Sequence, residues 1–137
     1  MRVAAISDLH GLTTRFSLVG KLFDEGIDTL LIAGDISAAG RPEAQQANVR
    51  TNFSALLRGR KGIRIFAIPG NDDWTIVERS LKEFPEVVVP TGRAFPLDAR
   101  FSILGYPYVS ITPFMMKDYE KWDTPEEPAL PASSEDL

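Results

Sequence analysis

Three short apolar runs, Val3-Ala4-Ala5-Ile6, Leu30-Leu31-Ile32-Ala33 and Ile65-Phe66-Ala67-Ile68, each break off into a polar cluster. The clusters are Asp8-Leu9-His10-Gly11, Gly34-Asp35 and Pro69-Gly70-Asn71-Asp72-Asp73. Runs this rich in branched apolar residues and bounded by Gly, Pro or Asp read as strands buried on both faces of a parallel sheet. In open α/β sheets, ligands bind beyond the carboxyl ends of the strands. Three polar clusters at three such ends therefore converge, and the chemistry is expected where they meet.

The intervening segments supply crossover helices. Phe16, Val19, Leu22 and Phe23 recur at helical spacing, with Thr13 or Thr14 available as a cap and Gly26 just past the end. Ile36 to Pro42 reads as a loop, after which Val49, Phe53, Leu56 and Leu57 mark a second helix that stops near Gly59. A third, opened by Asp72 or Asp73 and ended by Pro85, places Ile76, Ser80, Leu81 and Phe84 on one stripe. Strand and helix alternate three times, which calls for right-handed crossovers and a parallel sheet. From Glu86 onward the pattern changes to short strands, Val87 to Val89, Ala94 to Leu97 and Phe101 to Leu104, the last two spaced like an antiparallel hairpin. Tyr106 to Trp122 is aromatic and irregular, with a short helical turn expected around Met115 to Glu120.

A chain of 137 residues is one domain by length and can bury a core without crosslinks. It holds no cysteine, so disulfides, thiolate metal sites and a Cys nucleophile are excluded. It carries no basic-then-apolar leader and no run able to span a bilayer, so a cytoplasmic location with no membrane partner is the expectation. Net charge is −4, yet residues 123–137 carry five acidic groups and no Lys or Arg, leaving 1–122 near neutral. That balance gives no strong nucleic-acid signal. The acidic, proline-containing segment 123–137 has little to bury and reads as a disordered tail behind a domain spanning 1–122.

Asp8 and His10 lie two apart, so they share a face if the strand continues through them. Asp35 arrives from the neighbouring strand, and Asn71 with Asp72 from the next. Carboxylates, one imidazole and an amide oxygen suit Mn²⁺, Fe²⁺, Zn²⁺ or Mg²⁺ rather than soft metals. A carboxylate lying between the other clusters, as Asp35 does, can bridge two ions. Paired ions about 3.5–4 Å apart clamp phosphate and activate water for in-line displacement, which is phosphoester hydrolysis.

Asp-x-His, then Gly-Asp, then Gly-Asn-His-Asp/Glu, each after a strand, is the opening half of a known signature. It stands here as Asp8-Leu9-His10, Gly34-Asp35 and Gly70-Asn71-Asp72-Asp73. Over 1–122 the chain resembles the calcineurin-like metallophosphoesterases. The resemblance implies an α/β sandwich, present here as an incomplete βαβαβα first half followed by short antiparallel strands. It further implies two divalent ions (Mn, Fe, Zn or Mg) and a phosphomonoester or phosphodiester substrate hydrolysed by metal-activated water. Asp8 and His10 would bind one ion, Asp35 would bridge both, and Asn71 would bind the second and contact phosphate. The stretch from Tyr106 to Phe114, with Lys117-Asp118-Tyr119-Glu120, also resembles bacterial and archaeal members.

Two departures from that pattern bear on mechanism. The family's His after the Asn, a general acid or phosphate contact, is Asp72 here, and an aspartate donates a proton only if its pKa is raised. The family's later ligands are three histidines, whereas His10 is the single histidine of this chain. The alternative is therefore a non-catalytic scaffold or subunit of the same fold, with exposed apolar surface closed by self-association or by a partner chain. A phosphoacceptor aspartate domain is disfavoured, because no second acid follows Asp8 two positions on. Taken singly, Asp8, Asp35 and Asp73 also suit helix caps, and Asp72 a solvated cap. The aromatics Tyr106, Tyr108, Phe114, Tyr119 and Trp122 read as packing rather than a base-stacking platform.

Overall fold

The computed structural model describes residues 1–116 and 118–122, so the expected tail at 123–137 lies outside the described residues. The apolar runs form strands β1 (Val3–Ile6), β2 (Thr29–Ala33) and β3 (Arg64–Ile68). Helices α1 (Thr13–Asp24) and α2 (Pro42–Leu57) connect them, and α3 (Thr75–Leu81) follows. All three strands pair in parallel. Val87–Val88, expected as a short strand with no hairpin partner, is β4, a fourth parallel strand with Ile65 opposite Val87 and Phe66 opposite Val88. A two-residue strand carries no pairing signature of its own. The crossover through α3 brings it alongside β3, and Val87 buries into the common core.

The sheet order β1-β2-β3-β4 follows the sequence without reversal. Right-handed crossovers between successive neighbours put every helix on the same face. That face holds the core: Leu30, Ile32, Ile65 and Ala67 from the sheet meet Phe16, Val19 and Phe23 of α1, Val49, Phe53 and Leu56 of α2, and Val77 and Leu81 of α3. Phe53 sits at the centre, edge-on to Phe16 and tilted against Phe84, each at 5.6 Å between ring centroids. Strand alternation sends Val3, Ala5, Leu31, Ala33, Phe66 and Val88 to the other face. Phe66 is buried there, beneath the Arg64 guanidinium at 5.5 Å, whereas Val3, Ala5 and Ala33 are exposed.

The helix ends depart from expectation in instructive ways. Neither Thr13 nor Thr14 caps α1; Leu12 precedes its first turn, and no side chain bonds to the free amides. Gly26 does close it, at φ +92°. Asp73 does not cap α3, which begins after Trp74 and receives its N-terminal contact from Asp118 Oδ2, 2.9 Å from the Thr75 amide. On α3 it is Val77, not Ile76, that joins the core with Ser80 and Leu81.

Beyond the sheet, β5 (Phe95–Pro96) and β6 (Ser102–Ile103) form the expected antiparallel pair. Asp98 Oδ1 turns the chain between them by accepting the amides of Arg100 and Phe101 at 2.7 and 2.9 Å. No helix forms among the described residues of Met115 to Glu120; Glu120 instead bridges to Val109. Of the aromatic set, Tyr106, Tyr108 and Tyr119 pack ring to ring at 5.7 and 6.1 Å between successive centroids, with Tyr119 buried and Tyr106, Tyr108 and Phe114 exposed. Lys121 Nζ lies 4.6 and 5.3 Å from the Tyr106 and Tyr108 ring centroids. Among the described residues no helix is long and apolar enough to cross a membrane.

Candidate metal centre

Each strand ends before its polar cluster, and the clusters meet beyond the carboxyl edge of the sheet. The strand period does not carry Asp8 and His10 to a shared face, as the sequence suggested. β1 stops at Ile6, and Asp8 and His10 adopt φ of +57° and +46°. Leu9 between them is the anchor: its side chain is buried in the core and throws its neighbours outward. Asp35 lies at φ +52°. Left-handed backbone at a residue other than glycine costs on the order of 1 kcal/mol and persists where the surroundings over-determine it. Here the first two loops zip together, with the amides of Asp8, His10 and Gly11 donating to the carbonyls of Gly34, Asp35 and Ile36 at 3.2, 2.8 and 2.9 Å.

This arrangement brings a ligand atom from each of Asp8, His10 and Asp35 within 4.8 Å of the other two. Asp8 is exposed, while His10 and Asp35 are half-buried. His10 Nε2 is 3.6 Å from Asp8 Oδ1, and Nδ1 is 3.6 Å from Asp72 Oδ2, both beyond hydrogen-bond reach. Two carboxylates and an imidazole converging without direct bonds suit a hard or borderline divalent cation, and the donor set fits one. The Ser7 hydroxyl donates to Asp8 Oδ2, and Arg15 donates to the Asp8 carbonyl. Asp35 Oδ1 accepts the Asp72 amide at 3.0 Å, which ties the second loop to the third.

The third cluster closes the site. Gly70 passes so near Asp35 that a Cβ there would collide with the Asp35 carboxylate and amide. Asn71 is half-buried, and its Nδ2 donates to Asp72 Oδ1 at 3.2 Å. Desolvation raises the Asp72 carboxyl above the ordinary carboxylate range, the charges of Asp35 and Asp8 add to it, and His10 opposes. Asp73 is fully buried, and desolvation pushes it up to about 6 against the pull of three backbone amides.

Residues 1–123 match the family model of the calcineurin-like phosphoesterases. The chain belongs to that family. No curated protein and no solved structure matches it. In this calcineurin-like phosphoesterase the three motif-bearing loops follow β1, β2 and β3, neighbouring strands of one sheet.

The residues that hold those loops in place were not marked by the phosphoesterase motifs. Gln45 and Asn52 of α2 are buried polar residues, with half-buried Asn48 between them. Asn48 and Asn52 donate to the Gly11 carbonyl at 3.1 and 3.3 Å, and Gln45 donates to the carbonyls of Asp72 and Ala38 at 2.7 and 3.1 Å. Their spacing, 45, 48 and 52, is that of one helix face beside the apolar stripe of Val49, Phe53 and Leu56. That polar stripe was the available signal.

Proposed function

We propose that this chain is a metal-dependent phosphoesterase that hydrolyses phosphomonoesters or phosphodiesters by metal-activated water. Asp8, His10 and Asp35 would hold divalent metal of the Mn, Fe, Zn or Mg class, and Asp35 and Asn71 are the residues that would serve a second ion. When bound, the ions neutralise phosphate charge and lower the pKa of water. The chain's own residues do the rest. The Asn71 amide would orient a phosphate oxygen, and Asp72, whose carboxyl desolvation raises above the ordinary carboxylate range, is the group placed to give a proton to the leaving-group oxygen. The observation that carries this reading is the convergence of three donor atoms within 4.8 Å on three residues of positive φ.

Metal content and Mn²⁺-stimulated hydrolysis of bis-p-nitrophenyl phosphate test it, with manganese as the first ion and phosphodiesterase activity as the first readout. The expected result is two ions per chain, with hydrolysis at least about 100-fold lower in Asp35→Asn. A metal-free, inactive wild type overturns it. That outcome would favour a second reading, a non-catalytic scaffold or subunit whose sheet is covered by another copy or by a partner chain. The exposed Val3, Ala5 and Ala33 on the helix-free face support that alternative.

A further inference from the structure

Asp73 is not one of the three converging donors, yet it is fully buried beside them. Its carboxylate accepts the amides of Ile36 at 3.0 Å and Ser37 at 2.9 Å, the two residues after Asp35. It also accepts the amide of Gly70, the residue before Asn71, at 2.9 Å. One buried side chain thereby fixes the second loop to the third.

Two residues of α2 complete the lattice. Gln45 Nε2 donates to the Asp72 and Ala38 carbonyls, and its Oε1 accepts the Trp74 amide at 2.8 Å. Asn48 Nδ2 donates to the carbonyl of Gly11, next to His10, while Asn48 Oδ1 accepts from Ser37 Oγ at 3.3 Å. Gly11, at φ +65°, has no room for a Cβ because Asn48 occupies it. Every ligand-bearing loop is thus tied to another through a side chain that lies outside the donor set.

We propose that Asp73, Gln45 and Asn48 form a positioning network that sets the spacing of Asp8, His10, Asp35 and Asn71 for metal. Burying a carboxylate is expensive, and a well-packed apolar residue would stabilise a core at least as well. What the carboxylate does and a hydrocarbon cannot is gather three amides from two loops. Those loops need such restraint, because Asp35 is held at a φ of +52°, which costs energy at any residue other than glycine. The inference rests on the metal-site reading above.

Mn²⁺ titration of metal-free protein tests it, comparing wild type with Asp73→Asn and Asn48→Ala, and with Leu81→Ala as a destabilised control from the far side of the core. Asp73→Asn is expected to weaken Mn²⁺ binding about 10–100-fold, the range for residues that orient ligands, and Asn48→Ala about 10-fold. Leu81→Ala lowers Tm but keeps the wild-type Kd. Unchanged Kd in Asp73→Asn and Asn48→Ala, or equal weakening in Leu81→Ala, overturns the network. Should Asp73→Asn fail to fold, Asn48→Ala, at a half-buried position, carries the test. Amide hydrogen exchange of the metal-free proteins reads the clamp without any ion. Protection at Gly34 to Ser37 and Gly70 to Asp72 should fall in the variants while β2 and β3 keep theirs, and undisturbed loops overturn the proposal. A wild type that takes no Mn²⁺ sinks the functional reading instead, and the exchange result still decides the clamp.

Discussion

Burial outweighs hydrogen bonding at Asp73: three amides favour the anion, but removal from water holds the carboxyl at about 6. The consequence for stability has a definite sign. Between the unfolded value of 3.8 and the folded value of about 6, the native state binds more protons than the unfolded chain, so stability falls as pH rises through that window. At 1.36 kcal/mol per pKa unit the loss is roughly 3 kcal/mol, levelling off above the folded pKa. Asp72, raised for similar reasons, slopes the same way. Denaturant titrations of metal-free protein across that window should show the decline, and Asp73→Asn should flatten most of it. Equal slopes in wild type and variant would mean that Asp73 ionises normally. At this scale the sequence disclosed Asp8, His10 and Asp35 through their place after apolar runs. It could not disclose Asp73's role, because Asp before a helix reads as a cap, and its true partners, Ile36 and Ser37, lie more than 35 positions away in the chain.

Elements were legible where a stripe was long enough to show its period. Phe16, Val19 and Phe23, or Val49, Phe53 and Leu56, announce α1 and α2 because burial of one helix face selects them. The seven-residue α3 offers too few turns, so Val77 and Ile76 were exchanged, and β4 is too short to declare its partner. Two glycines give opposite predictions here. Gly20 sits inside α1, where an added Cβ would meet side chains only, the Arg60 guanidinium at 3.3 Å and Leu56 Cδ1 at 3.9 Å. Gly20→Ala should therefore stabilise the fold by about 0.5–1 kcal/mol, read as a raised Tm. Gly70 has no such freedom, since its Cβ would displace Asp35. Gly70→Ala should cost roughly 1–3 kcal/mol and weaken Mn²⁺ binding together with stability. A Gly70→Ala protein that binds Mn²⁺ as wild type does would show that Asp35 tolerates the shift.

The whole molecule is an unequal sandwich. Sequential strand order puts three helices on one face of the sheet and leaves the other to a short C-terminal segment. Among the described residues that segment reaches the β3–β4 side, where Gly105 packs on Ile68, and none of them pairs with β1. Across one row of the sheet, Val88 and Leu31 are half-buried, Phe66 is buried and Ala5 is exposed, so the cover thins toward the free edge. Among the described residues β1 is also an edge strand, and on its helix side lies a groove lined by Ile6, Leu9, Leu18 and Leu22 with Arg15, Lys21 and Glu25 among its other walls. An apolar face continuous with an open edge favours association. Sedimentation of the wild type should give an average mass above the 15.2 kDa of one chain, rising with concentration. Ala5→Lys places a charge on the bare face and should restore the monomer while keeping the Tm and the Mn²⁺ affinity, because Ala5 touches neither the helical core nor the converging loops. A monomeric wild type would mean that the thin cover suffices, and the scaffold reading would lose the observation that supports it.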